Sequence, residues 1–179
     1  MRNVRIGLLV VVAVLFAGAV VVPGFIQLKA AGDDVAQDVK DREAIEALMW
    51  KYARALDTFN PDAYASCYIP DGQFGAGANA TKGTAALKKM IQDLKDRREE
   101  QIKKGETPAP MYHMEMNKYV EFPAKDRARH HTYWETVFGA VGRGGQVRVA
   151  AAGNGVDDLV KVNGKWLIQI RNVSPGDSD

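Results

Sequence analysis

One cysteine, Cys67, stands among 179 residues, so no disulfide forms within the chain and a disulfide-stapled scaffold is excluded. With 7 prolines and 17 glycines the chain is neither collagen-like nor low-complexity. No P-loop, G-x-G-x-x-G, H-E-x-x-H, G-x-S-x-G or C-x-x-C pattern occurs, which removes the common nucleotide, zinc-protease and serine-hydrolase readings. Charge is missing from Ile6 to Ile26 altogether. Three of the 24 basic residues (Arg2, Arg5 and Lys29) and none of the 22 acidic ones fall in residues 1–31, so the remaining 21 and 22 nearly cancel. The net charge of +2 belongs to the leader and not to the body. A near-neutral body speaks against nucleic acid as a partner. Its densest charged stretch, Lys95 to Lys104, mixes Asp96, Glu99 and Glu100 among the bases and presents no stripe for phosphates.

What is present begins with that leader. Arg2 and Arg5 followed by an apolar run form the n- and h-regions of an export signal. Leu28-Lys29-Ala30-Ala31 offers small residues to a peptidase without matching A-x-A, and the 21-residue run is also long enough to span a bilayer. Residues 1–31 are therefore read as a signal peptide or a signal-anchor, with residues 6–26 as the membrane tether in the second case. Either way the body, residues 32–179, lies outside the cytoplasm, periplasmic or secreted.

The body reads as helices followed by strands. Ile45, Leu48, Met49, Tyr52 and Leu56 make one apolar stripe of a helix over Asp38–Thr58. Asn60-Pro61 is an N-cap with proline at the first helical position, opening a short helix through Cys67, where a buried structural thiol is the simplest reading. Ile69-Pro70-Asp71-Gly72 carries turn chemistry, Gln73-Phe74-Gly75 suits a short strand, and 75–83 a loop. Thr81 or Thr84 caps a third helix to about Lys104, its charged end a solvated extension. Four strands follow, at 111–122, 127–141, 146–162 and 165–173, with Asn163-Gly164 as the hairpin signal between the last two. Helices then a meander predict an α+β domain, helices packed on one face of a curved antiparallel sheet.

Several short stretches occur in a telling order: Tyr52-Ala53-Arg54-Ala55-Leu56-Asp57, Asn60-Pro61-Asp62-Ala63-Tyr64, Tyr68-Ile69-Pro70-Asp71-Gly72, Gly83 to Leu87, His113 with Asn117, and Val162-Asn163-Gly164-Lys165-Trp166-Leu167-Ile168. Together, over residues 40 to 173, they resemble the SnoaL-like branch of the nuclear-transport-factor-two-like superfamily, with scytalone dehydratase, bile-acid dehydratase and ketosteroid isomerase relatives. The resemblance implies a cone: a bent sheet wrapped around a helix, with an apolar pocket suited to a small hydrophobic molecule.

Alternation places His113, Glu115, Asn117 and Tyr119 on one strand face, lining a pocket or facing solvent; the resemblance favours the pocket and makes His113 the catalytic histidine. Asp57, a carboxylate at the unfavourable end of a helix dipole, matches the dehydratase aspartate, with a turn acid as the plainer alternative. Tyr52 sits mid-stripe, either core or a hydroxyl donor of the site. Adjacent His130 and His131 must point to opposite faces; Asn117, Trp134, Asp157 and Arg171 complete the substrate-binding candidates. No metal-ligand spacing occurs, and neither metal nor cofactor is expected. Residues 73–77 lack the acid that ketosteroid isomerases carry there, which turns the reading from that chemistry toward dehydration. The expectation is a cofactor-free lyase or isomerase acting on a small hydrophobic carbonyl compound. A non-catalytic ligand binder is the alternative, and so is a domain dimerising through its sheet face with Tyr133, Trp134 and Phe138.

Overall fold

The structure, a computed structural model, describes the backbone of residues 23–174 and the side chains from residue 34 onward. Residues 1–22, and the side chains of the rest of the proposed export segment, lie outside what is described. No helix among the described residues is long and apolar enough to cross a membrane. The chain divides into two units, residues 1–37 and 38–179, and the second carries the features that follow.

Helix α1 (Pro23–Asp57) begins upstream of the start read from periodicity. The stripe read from the sequence is its buried face, with Ile45, Met49 and Tyr52 all at 3% exposure or less. Asp41, buried at the same helix, accepts hydrogen bonds from Lys161 Nζ (2.5 Å) and Trp166 Nε1 (2.9 Å), tying α1 to the last hairpin. Arg42 adds a bond to the Val120 carbonyl (2.9 Å). The helix ends in a Schellman motif: Phe59 N–H donates to the Leu56 carbonyl (3.1 Å) and Asn60 N–H to Ala55 (2.8 Å). The residue that takes the left-handed turn there is Phe59, at φ 52°, where glycine is usual. Asn60 then serves as N-cap of α2 (Pro61–Ala65), its Oδ1 accepting from Ala63 N–H at 3.0 Å.

Strand β1 (Tyr68–Phe74) absorbs the residues expected to form a turn, and its register breaks between Tyr68 and Gln73. Gly72 makes this kink feasible, since a Cβ there would lie 2.8 Å from Tyr68 Cβ and 3.0 Å from the Ile69 carbonyl oxygen. A short 3-10 turn and β2 (Thr81–Lys82) occupy the expected loop. Helix α3 (Thr84–Lys103) is capped by Gly83 and not by a threonine; the Thr84 hydroxyl instead donates to the Pro70 carbonyl at 3.2 Å.

Strands β3 (Met111–Ala124), β4 (Arg127–Phe138), β5 (Arg148–Val162) and β6 (Lys165–Asn172) form the expected meander. The sheet has six strands in the order β2-β1-β6-β5-β4-β3; it is curved and does not close. It is not wholly antiparallel, because β1 joins β6 in parallel, with α3 and strands β3 to β5 between them in the chain, and Gly75 N–H donates to the Arg171 carbonyl at 2.8 Å. Nothing local in β1 announces that pairing, which depends on residues about a hundred positions away. The core lies between α1, α2, α3 and the concave sheet face, centred on Tyr64, Leu87, Ile91, Leu159 and Ile168. Four of the five are fully apolar; Tyr64 brings a hydroxyl with it, bonded to that of Tyr68 (3.1 Å).

Candidate functional site

Strand alternation holds for the first half of β3 and then fails. His113 and Glu115 face inward, but Asn117 adopts φ 51° and the register with β4 slips between Met116 and Tyr119. This bulge reverses the phase, so Val120 and Phe122 pack toward the core while Asn117 and Tyr119 are exposed. Asn117 therefore does not reach the pocket, contrary to the alternation carried through from His113.

His113 is paired with Asp57, the last residue of α1, 56 positions earlier. Its ring Nδ1 lies 2.7 Å from Asp57 Oδ1, and its own backbone N–H donates to the same oxygen at 3.0 Å. Asp57 is the more buried partner, its side chain 7% exposed against 21% for His113. A carboxylate accepts at Nδ1, so the neutral ring carries its proton there and leaves Nε2 as an acceptor. Asp57 is thus a support behind the histidine and caps no amide of α2, a role Asn60 fills.

The pocket that His113 lines has a volume of about 180 Å³ and is mostly apolar, with Leu56, Phe74, Trp134 and Val173 among its walls and Tyr52, Glu115, Glu135, Thr136 and Arg171 as its other polar residues. The Trp134 indole lies flat against β5, donating to the Asn154 carbonyl (3.0 Å) and the Val173 carbonyl (3.1 Å). Gly153 permits this, since a Cβ there would come 3.0 Å from the ring.

Beneath the pocket runs a buried ionic network. Arg171, 3% exposed, donates from Nη1 to Asp157 Oδ2 (2.5 Å) and from Nη2 to Glu115 Oε1 (2.6 Å). Its guanidinium lies 4.3 Å from the Tyr52 ring centroid. Burial works against the guanidinium charge, yet Asp157 and the other neighbours hold its pKa well above the ordinary value. Burial also raises the Tyr52 phenol, partly offset by Arg171, and pushes up Tyr64 and Tyr68, so all three stay protonated hydrogen-bonding groups. His130 does not line this pocket; it is buried behind it with Nδ1 3.1 Å from Asp157 Oδ2. His131 points to the other face, beside Tyr119 and Glu121.

Tyr52, Asp57, His113, Trp134 and Arg171 are thus brought together at the pocket, Asp157 supports Arg171 from below, and Asn117, His130 and His131 lie elsewhere. Glu115 was missed as a site residue, although its place two residues from His113 on the same strand face was the available signal. Trp134 and Phe138 face inward and do not share the outer face with Tyr133, because the β3–β4 register pairs them with the inward Glu115 and Met111. The Cys67 thiol is buried, with its pKa pushed up to about 11 by that burial, which suits a structural residue.

An open sheet packed on N-terminal helices, with a small apolar pocket over a histidine–carboxylate pair, defines the class: a pocket-bearing fold of the nuclear-transport-factor-two-like superfamily. More narrowly, the chain belongs to the SnoaL-like domain family, whose model matches residues 37–172. No curated protein matches the sequence. Solved structures that it resembles include a Mycobacterium tuberculosis protein of unknown function, 21% identical, with TM-score 0.63 over 78% of this chain and 73% of that one. A Novosphingobium aromaticivorans protein provisionally named a scytalone dehydratase is 21% identical, with TM-score 0.59 over 77% and 85% of the two chains. A nuclear-transport-factor-two-like protein with a cystatin-like fold from the same organism is 17% identical, with TM-score 0.64 over 82% and 90%. At these identities the likeness concerns the fold.

Proposed function

We propose that the pocket is the active site of a cofactor-free lyase that removes water from a small, hydrophobic β-hydroxy carbonyl compound. The observation that carries this reading is the 2.7 Å contact between His113 Nδ1 and Asp57 at the wall of a mostly apolar pocket. Asp57 fixes the ring tautomer and supports the imidazolium that forms when Nε2 takes the proton alpha to the carbonyl. The electron pair released from that C–H bond moves toward the carbonyl oxygen, where the Tyr52 hydroxyl donates a hydrogen bond. As the enolate collapses, the C–O bond to the β-hydroxyl breaks and the imidazolium returns its proton to the departing oxygen, giving water and a conjugated enone. The dehydratase name of a structural relative supports the same chemistry. The ligand-binding alternative uses the same pocket without the proton transfer. The test is a screen of β-hydroxy ketones for ultraviolet absorption from enone formation. His113→Ala should lower kcat/KM by about 10²–10⁴-fold, as for loss of a general base. Turnover within about threefold of wild type would refute the mechanism.

We also propose that residues 1–31 export the domain, residues 32–179, and that two copies pair through the outer sheet face. That face exposes Tyr112 (46%), Met114 (42%) and Tyr133 (57%), large apolar groups on neighbouring strands. Light scattering should give a dimer mass that Met114→Lys with Tyr133→Lys reduces to a monomer.

A further inference from the structure

A pocket of 180 Å³ is small beside the roughly 300–1,000 Å³ of ordinary ligand sites. Two residues away along the same inward faces of β3 and β4 lies a wider groove of about 890 Å³. Met111 and Phe138, paired across the strands, line the groove, and His113 and Thr136, the next inward pair, line the pocket. The separation along the strand is roughly 7 Å. On the helical side, Leu56 of the pocket and Phe59 of the groove flank the end of α1.

The groove has an apolar floor and a cationic rim. Phe59, Leu94, Met111 and Phe138 supply the floor. Phe59 projects there from a left-handed backbone conformation (φ 52°) that is unfavourable for a bulky residue. Arg98 stacks on that ring at 5.3 Å and is pinned by the Ala109 (2.9 Å) and Pro108 (3.1 Å) carbonyls. Arg148 lies over the Phe138 ring at 4.9 Å. Arg97 of α3 and Lys104, just past its last residue, line the groove and form no ion pair with a carboxylate among the described residues. Against these four cations the groove lining holds one acid, Glu100. The charged end of α3 is therefore more than a solvated extension. The pocket differs: its guanidinium, Arg171, is already held by two carboxylates.

We propose that the ligand is an amphiphilic anion, its apolar end in the pocket beside His113 and its carboxylate or phosphate on Arg97, Lys104 and Arg148 at the groove rim. An uncharged compound would leave those cations unused, and a cationic one would be repelled. The inference rests on the reading of the pocket as a site for an apolar ligand, though not on its catalysing anything.

The test is calorimetric titration of the soluble protein, residues 32–179 included, with decanoate, decyl phosphate, decanol and decyltrimethylammonium below their micelle concentrations. Decanoate and decyl phosphate should bind, the preferred one naming the headgroup, with decanol at least about tenfold weaker and the ammonium compound not at all. In Arg97→Glu/Lys104→Glu, anion affinity should fall at least about tenfold while decanol changes less than about twofold, and added salt should weaken wild-type anion binding. Decanol binding as tightly as decanoate, or a charge-reversed variant that binds anions undiminished, overturns the groove and leaves the pocket reading intact. Failure of every compound, decanol included, overturns both. Sedimentation with phosphatidylglycerol vesicles without binding of monomeric anions assigns the cations to a membrane surface and also overturns the proposal. Circular dichroism of the variant matched to wild type establishes that a lost affinity is not lost folding.

Discussion

Replacing Arg171 by methionine keeps an unbranched apolar stem and removes the guanidinium charge that two buried carboxylates share. Asp157 is fully buried and would lose its 2.5 Å partner, and Glu115, its side chain 10% exposed, would lose the 2.6 Å one. His130 remains beside Asp157 at 3.1 Å but is a weaker partner than a fixed cation. Breaking a buried ion pair by removing one member costs about 3–5 kcal/mol. For a domain of this size each kcal/mol moves Tm by about 2–4 °C, so the variant should melt roughly 6–20 °C lower. The pH dependence gives a sharper test. In the wild type the raised Arg171 pKa contributes stability that is fully present below the ordinary arginine range and is lost only above it, so it is constant at all ordinary pH. In the variant, the unpaired buried carboxyls have folded pKa values above their unfolded ones, near 4. Such groups bind more protons folded than unfolded, so the variant loses stability as pH rises from about 4 toward the new folded values. Thermal unfolding followed by circular dichroism at pH 5 and pH 8 should show the larger deficit at pH 8. A deficit below about 1 kcal/mol at both pH values would refute the account of this network as a tightly held buried charge cluster. Arg171→Lys, which keeps the charge and loses the fork, should fall between the two.

Three further outcomes follow from local geometry. Gly72→Ala should destabilise by about 1–3 kcal/mol in denaturant titration, because its Cβ meets backbone oxygens that cannot step aside. Gly153→Ala should push the Trp134 indole off its two carbonyl acceptors, costing about 0.5–1.5 kcal/mol for each bond lost and shifting tryptophan fluorescence. Cys67 should resist a thiol reagent such as Ellman's at pH 8 in the folded protein and react fully in guanidinium, since burial holds its pKa near 11 and closes access.

Much of the site was legible because its parts are locally coded. The Tyr52–Asp57 spacing sits on a helix whose apolar stripe is continuous, and the Asn60-Pro61 pair stops and restarts the chain by its own capping chemistry. The Asn163-Gly164 turn likewise takes positive φ at both residues, 50° and 78°, as its side chains dictate. Legibility fails where a backbone irregularity intervenes. Asn117 looks like one more alternating strand residue, yet its left-handed backbone moves it out of the pocket and brings Val120 and Phe122 into the core. An asparagine inside a strand was the one hint, since it tolerates that conformation better than its neighbours do.

By itself the sequence determined the order of helices and strands, the stripe of α1 that would be buried, and the near-neutrality of the body. These follow from periodicity, capping and composition, which act over a few residues. Only the tertiary structure decided that His113 meets Asp57 across 56 residues, that Arg171 is caught between Asp157 and Glu115, and that β1 pairs in parallel with β6. It alone decided, too, that the charged end of α3 walls a groove adjoining the pocket. Such contacts depend on strand register and chain crossover, and a shift of one residue sends a side chain to the opposite face.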